Sequence, residues 1–208
     1  MWDTDIKISD EDLFPIRDFI GSQVGIYFEE KKFYFLEKRV QRRMQATNTK
    51  TAKEYFRLLT LSDNKNEMSE FINVLTTNET YFYRNIPQLE SFAEEILPLV
   101  VEEKEKKGDY SLRIWSAACS SGDEPYTISI LLQEYLKNYA KWDIQIVATD
   151  IDTEILEKAE LGVYDARGVK DVPPAVLKKY FHPVADRYQV VADVKKLVSF
   201  IGNYLITK

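Results

Sequence analysis

The stretch Ser116-Ala-Ala-Cys-Ser-Ser-Gly-Asp-Glu-Pro-Tyr126 gathers small residues into a turn that ends on two acids. Small side chains let a ligand approach the backbone, and Gly122 permits a φ that other residues resist. A further acid, Asp150, follows the apolar run Ile144 to Thr149. An acid at the end of the second strand of an α/β unit can accept both hydroxyl hydrogens of a ribose. The turn is neither a dinucleotide G-x-G-x-x-G loop nor a P-loop, because no Lys-Ser/Thr follows Gly122. Asp123 and Glu124 repel a pyrophosphate and attract a cationic amine. Ribose plus an amino-acid head group points to S-adenosylmethionine over NAD or ATP. The same residues also suit an ordinary α/β turn with solvated carboxylates, and spacing alone leaves both readings open.

The elements that carry these residues change character along the chain. Ser9 and Asp12 mark a helix start before Leu13, Ile16 and Ile20. A second helix is predicted from about Glu30 to Ala46, with Phe33, Leu36, Val40 and Met44 on one stripe. Thr51 and Glu54 form a capping-box pattern, and Asn64 to Val74 gives another amphipathic run. Pro87 to about Glu105 reads as one longer helix. After Gly108 and Asp109 the pattern becomes strand (Leu112 to Ala117), turn, helix (Pro125 to about Tyr139), strand (Ile144 to Thr149) and helix (Asp152 to Leu161). That alternation predicts a parallel α/β unit, and right-handed crossovers put both strand ends on one rim. Pro173 to Tyr180 reads as a short helix, and Tyr188 to Val191 with Leu197 to Ile201 as a hairpin.

Composition limits the chemistry. The 208 residues suit one domain, or one plus a small helical lobe. A net charge of −6 excludes a globally cationic nucleic-acid coat. One cysteine and one histidine exclude a disulfide, a Cys-rich zinc site and a His-cluster metal site. No apolar run reaches membrane-span length, so membrane insertion is not expected and a reducing cytoplasm fits best. Cys119 sits where small residues are needed and reads as packing, and His182 before Pro183 as structural or exposed. The trio Tyr81, Phe82 and Tyr83 suits either core packing or contact with an adenine or substrate.

Three long segments carry a resemblance. Arg113-Ile-Trp-Ser-Ala-Ala-Cys-Ser-Ser-Gly-Asp-Glu-Pro-Tyr-Thr-Ile128, Ala148-Thr-Asp-Ile-Asp-Thr-Glu-Ile-Leu-Glu-Lys-Ala159 and Thr76-Thr-Asn-Glu-Thr-Tyr-Phe-Tyr-Arg84 resemble motifs of the chemotaxis receptor methyltransferases, the CheR family, in order and separation. The resemblance runs from about residue 10 to residue 205. It implies an α/β fold in which an all-helical N-terminal lobe (residues 1–75) precedes a Rossmann-like S-adenosylmethionine-dependent methyltransferase domain (76–208). A small antiparallel β-subdomain at about 163–201 is implied within it. The implied activity is methyl transfer from S-adenosylmethionine, leaving S-adenosylhomocysteine, to glutamates of methyl-accepting chemotaxis receptors. A carboxylate nucleophile is already ionised at neutral pH and needs no general base. By position, Asn78, Thr80 and Arg84 match the cofactor and active-site segment, with Arg84 as the carboxylate-orienting catalytic residue. Glu124 matches the acid at the methionine end, Asp150 the ribose acid, and Asn203 an asparagine touching the cofactor. Asp152 reads as a helix N-cap.

Two departures accompany the match. The family continues past Asn203 into a further strand and a motif of the kind Phe-Asp-x-Ile-x-Cys-Arg-Asn-Val-x-Ile-Tyr-Phe, so the implied sheet is C-terminally incomplete, and a non-catalytic cofactor-binding or signalling module of the same family is the alternative reading. Between Phe181 and Tyr188 there is no glycine-bearing extension, which argues against tethering to a receptor tail peptide. Six basic residues stand between Lys31 and Arg43 against one acid, Glu37. Arg39, Arg42 and Arg43, at i, i+3 and i+4, share a face. That face reads as a solvated surface or as a dock for the acidic methylation helices of a receptor; nucleic acid is disfavoured by the overall charge.

Overall fold

The computed structural model describes residues 7–61, 65–76 and 78–202. The described residues fall into two compact units, divided between residues 76 and 78.

The first unit is helical: α1 (Asp10–Val24), α2 (Phe33–Thr47), α3 (Ala52–Thr60) and α4 (Lys65–Leu75). Each start and stop has a local cause. The Ser9 hydroxyl accepts the Asp12 N–H at 3.3 Å, and Gly25, at φ 74°, closes α1. The Thr51 hydroxyl accepts the Glu54 N–H at 3.1 Å, while the Glu54 carboxylate accepts the Lys50 N–H at 2.7 Å. The return bond of this capping pair thus lands one residue before the cap. The predicted stripes of α1 and α2 face one core with Tyr55, Leu59 and Phe71. A polar group is built into that core. Arg43 reaches Glu67 through Nη2 (2.7 Å) and Nε (3.0 Å), and Glu70 through Nη1 (3.1 Å). The buried Tyr55 hydroxyl donates to Glu67 at 2.8 Å.

The second unit begins with α5 (Ile86–Ser91), a π turn (Phe92–Ile96) and α6 (Leu97–Lys106), one continuous run. The widened turn ends two residues before Pro98, which has no N–H to donate, and the Leu97 N–H returns five residues to Phe92. Then come β1 (Ser111–Ala117), α7 (Asp123–Tyr135), β2 (Asp143–Asp150) and α8 (Thr153–Leu161). They are followed by β3 (Val163–Tyr164), α9 (Pro174–Tyr180), β4 (Phe181–Val184), β5 (Arg187–Val190), α10 (Ala192–Lys195) and β6 (Val198–Gly202). The main sheet is parallel, in the order β1-β2-β6, with Trp115 opposite Val147 and Val147 opposite Ser199. Leu112, Ile144 and Ile146 pack with Leu132 of α7 and with Leu136, the residue that caps it. The second sheet is antiparallel, β3-β5-β4.

One expected pairing is corrected. The hairpin is β4 with β5, turning at Ala185 and Asp186, and the strand at 198–202 pairs with β2 in the main sheet. The antiparallel subdomain therefore ends before residue 198. Alternation of apolar residues marks a strand but not its partner. The short helix α10, packed on α7 with the Ser129 hydroxyl donating to Val194 O at 2.9 Å, carries the chain from one sheet to the other.

Candidate active site

The ends of β1 and β2 meet at a turn whose backbone is bent at three points. Ala118 (φ 58°), Ser120 (φ 48°) and Gly122 (φ 87°) all take left-handed conformations. At Gly122 a side chain is excluded by packing as well. A Cβ there would lie 3.0 Å from Ala159 Cβ and 3.0 Å from Phe200 Cζ. Glycine is what lets α7 start this close to α8 and β6. Ala117 and Ala118 remain exposed, leaving the strand end open. The Cys119 N–H donates to Thr149 O, and burial, then the Asp150 charge, pushes its thiol up to about 12. That thiol is a packing group and not a nucleophile.

Asp150 is 6% exposed and held by backbone. Its Oδ2 accepts the Ser120 N–H at 2.7 Å and its Oδ1 the Asp152 N–H at 3.0 Å. Each carboxylate oxygen has a second accepting position, so the group is oriented and still able to take two more donors. Vicinal ribose hydroxyls are donors of that kind. Asp152 caps α8, accepting the Ile155 N–H at 3.0 Å, and its other oxygen accepts Asn78 Nδ2 at 2.6 Å. The Ser120 hydroxyl donates to Asn78 O at 3.3 Å. Asn78, Ser120, Asp150 and Asp152 thus form one network. Within it the Asn78 side chain serves the scaffold and ties the segment 78–84 to the turn.

The two acids of α7's first turn separate. Asp123 turns inward: it is buried, accepts the Ser121 hydroxyl at 2.6 Å, and burial lifts its pKa to about 6. The Tyr164 hydroxyl closes over this corner, donating to Ser121 O at 2.6 Å. Glu124 points outward and is exposed, with the buried Ser116 hydroxyl donating to it at 2.6 Å. Only Glu124 presents a carboxylate to a cationic group outside.

The segment 78–84 is anchored by an aromatic. Phe82 is fully buried, edge-on to Tyr164 (4.7 Å) and Phe181 (5.0 Å), and its N–H donates to Gly168 O at 3.0 Å. The Tyr83 N–H donates to the Thr127 hydroxyl at 3.4 Å. Arg84 is exposed, with Nη1 donating to Glu79 O at 2.8 Å. Thr80 is half-buried. Among the described residues no hydrogen bond joins Arg84 or Glu124 to the Asp150 network, and Asn203 lies outside the described residues. Of the two readings open for Phe82, the structure shows core packing; the Ser120 N–H is the part that residue types did not single out, because a backbone donor leaves no trace in side-chain pattern.

In the first unit the three arginines do not share one open face. Arg43 is occupied by Glu67 and Glu70. Arg39 lies on the Phe35 ring, Cζ 3.1 Å from its centroid, and burial lowers its pKa, with Arg42 adding to that. Arg42 is exposed, and the open stripe one turn apart is Tyr34, Lys38 and Arg42.

A parallel sheet with an open strand end, a buried acid at the end of β2 and an outward acid in the first turn of α7 have the form of a nucleoside-binding α/β domain. Family comparison gives the rest. Residues 11–76 match the CheR methyltransferase all-alpha domain and residues 78–207 the CheR methyltransferase SAM binding domain. The chain is 43% identical over 202 residues to chemotaxis protein methyltransferase 2 of Vibrio cholerae, covering 97% of this chain and 69% of that protein. It is 32% identical over 197 residues to the chemotaxis protein methyltransferase of Borreliella burgdorferi (94% and 70%), and 33% over 178 residues to that of Escherichia coli (85% and 58%). The chain belongs to the CheR methyltransferase family. Its cofactor is S-adenosylmethionine, and the donor and acceptor set at Asp150 and Glu124 fits that molecule. No helix among the described residues is long and apolar enough to cross a membrane.

Proposed function

We propose that the protein transfers a methyl group from S-adenosylmethionine to glutamate side chains of methyl-accepting chemotaxis receptors, in the cytoplasm. The observation that carries this reading is the presence in one chain of both family domains, the all-alpha domain at 11–76 and the SAM binding domain at 78–207. S-adenosylmethionine bound at this site would supply an electrophilic methyl carbon on a sulfonium that is a good leaving group. The substrate carboxylate attacks as it stands, so no residue has to remove a proton, which agrees with a site poor in His and Cys. The chain's own work is alignment and exclusion of water. Asp150 accepts the ribose hydroxyls, Glu124 accepts the ammonium, and the Asn78 and Thr80 segment positions Arg84, whose planar fork pairs with the substrate carboxylate. Lys38, Arg42 and the part-covered Arg39 receive an acidic receptor helix. The short β4–β5 turn at Ala185 and Asp186 supports a reading without tail-peptide tethering.

The test is transfer of labelled methyl groups to a soluble receptor signalling fragment. The parent chain should label the fragment and leave one with its methylation-site glutamates replaced by alanine unlabelled. Arg84→Lys should keep S-adenosylhomocysteine affinity near parent and lose about 2–4 kcal/mol of barrier lowering. Label on the glutamate-free fragment overturns the substrate, and full activity in Arg84→Lys overturns the arginine's role.

A further inference from the structure

A groove of about 670 Å³ opens on the second unit, beside the segment that carries Arg84. Residues 78–81, the outer side of α8, residues 163–170 and Arg187 form its walls. Four cations line it: Lys158, Arg167, Lys170 and Arg187. Three acids stand on the same walls, each held by a partner that orients it, although Asp165 keeps its charge. Glu79 pairs with Arg167 at 3.1 Å, Asp165 accepts the Gly168 N–H at 2.9 Å, and Asp123 is turned inward on Ser121. Lys170 stands 4.1 Å from the centre of the Tyr81 ring and 4.0 Å from Asp171. Among the described residues, no carboxylate lies within ion-pair distance of Lys158 or Arg187. On a chain of net charge −6 this is a local surplus of positive charge around a concave surface.

We infer that this groove receives acidic side chains flanking the methylated glutamate in the substrate helix, an inference that rests on the receptor reading above. Carboxylates at i and i+4 of a helix stand roughly 6 Å apart and can reach separate cations. A compact polyphosphate would meet Glu79 and Asp165 on the same walls, whereas side chains spaced along a helix can pass them. Asn78, Thr80 and Tyr81 line the groove and belong to the same segment as Arg84, so flanking residues bound here lie beside the segment that orients the reacting one. Lys158, Lys170 and Arg187 are thus specificity residues for the sequence around the methylation site.

The full chain is titrated with a labelled helical peptide bearing glutamates at i and i+4, read by fluorescence anisotropy, with S-adenosylhomocysteine affinity measured on the same samples. Lys158→Glu with Arg187→Glu should weaken peptide binding on the order of ten-fold and leave cofactor affinity within two-fold. The milder Lys158→Gln with Arg187→Gln, checked for parent-like circular dichroism, should lose less, and raising salt should narrow the difference. Peptide affinity unchanged in both variants overturns the groove. So does a parent chain that does not bind the peptide; the receptor reading is then judged separately, by methyl transfer to the intact receptor fragment. Loss of ATP or inorganic phosphate binding with peptide binding intact would make this a phosphate site and overturn the inference.

Discussion

Each unit holds a cluster of buried or half-buried charge, and the two are used in opposite ways. In the helical unit Arg43 presents its guanidinium to Glu67 and Glu70, and Tyr55 adds a donor to Glu67. Arg43 and Glu67 face one another at the edge of the core, with Glu70 on its open side. In the α/β unit Asp150 is as buried as Glu67, but backbone N–H groups hold it, and among the described residues no cation pairs with it. The first cluster consumes its own hydrogen-bonding capacity, and the second keeps part of it for a ligand. Depth of burial is therefore a poor guide to function; what decides is whether the partners complete the group.

The largest test of that contrast is Arg43→Ala. It takes the guanidinium away from the Glu67 carboxylate, whose side chain is 7% exposed, and should cost about 3–5 kcal/mol of stability by denaturant unfolding while leaving S-adenosylhomocysteine affinity of the folded fraction unchanged. Replacing Arg43 by Met and Glu67 by Leu together should cost less, because no charge is left alone, although Tyr55 loses its acceptor. Lost cofactor affinity at retained stability would erase the contrast.

Asp150→Asn is the counterpart. It replaces one accepting oxygen by a donor and removes the charge, and should weaken S-adenosylhomocysteine binding by about 1.5–3 kcal/mol in calorimetry, with a smaller loss of stability. Parent-like affinity would put Asp150 in the same structural category as Glu67.

The smallest effect is expected at Asp123, which lies between the two cases: buried, beside the site, and turned away from it. Burial raises its carboxyl from the ordinary 3.8 to about 6. The folded state then holds its proton more tightly than the unfolded one. Its contribution to stability is complete below pH 4 and is lost as pH rises through 6. Asp123→Asn, which mimics the protonated form, should flatten the fall in Tm between pH 4 and 7 and gain on the parent above pH 6. An unchanged pH profile would show that Asp123 stays ionised in the folded chain.

Much of this was legible in residue order. The helix starts at Ser9 and Thr51, the stripes of α1 and α2, the two parallel strands and the acid at the end of the second all follow from local rules of capping and period. The arginine triplet on α2 was legible only as spacing. Spacing put Arg43 with Arg39 and Arg42, but the partners that take Arg43 away come from α4, more than twenty residues later. The strand at 198–202 was legible as a strand, and its place beside β2 was not.

What the sequence by itself determined is therefore what depends on near neighbours: where helices begin and end, which residues alternate, and which motif stretches carry small residues and acids in the family's order. Only the tertiary structure decided which acids face outward. Asp123 and Glu124 are adjacent in the chain and both carboxylates, yet one is sealed under Tyr164 and the other is open. It also decided that Asn78 grips Asp152 across 74 residues and that Phe82 anchors the active-site segment between Tyr164 and Phe181. The reason is physical. Burial and hydrogen-bond completion are set by the atoms packed around a group, and those arrive from elements distant in the chain.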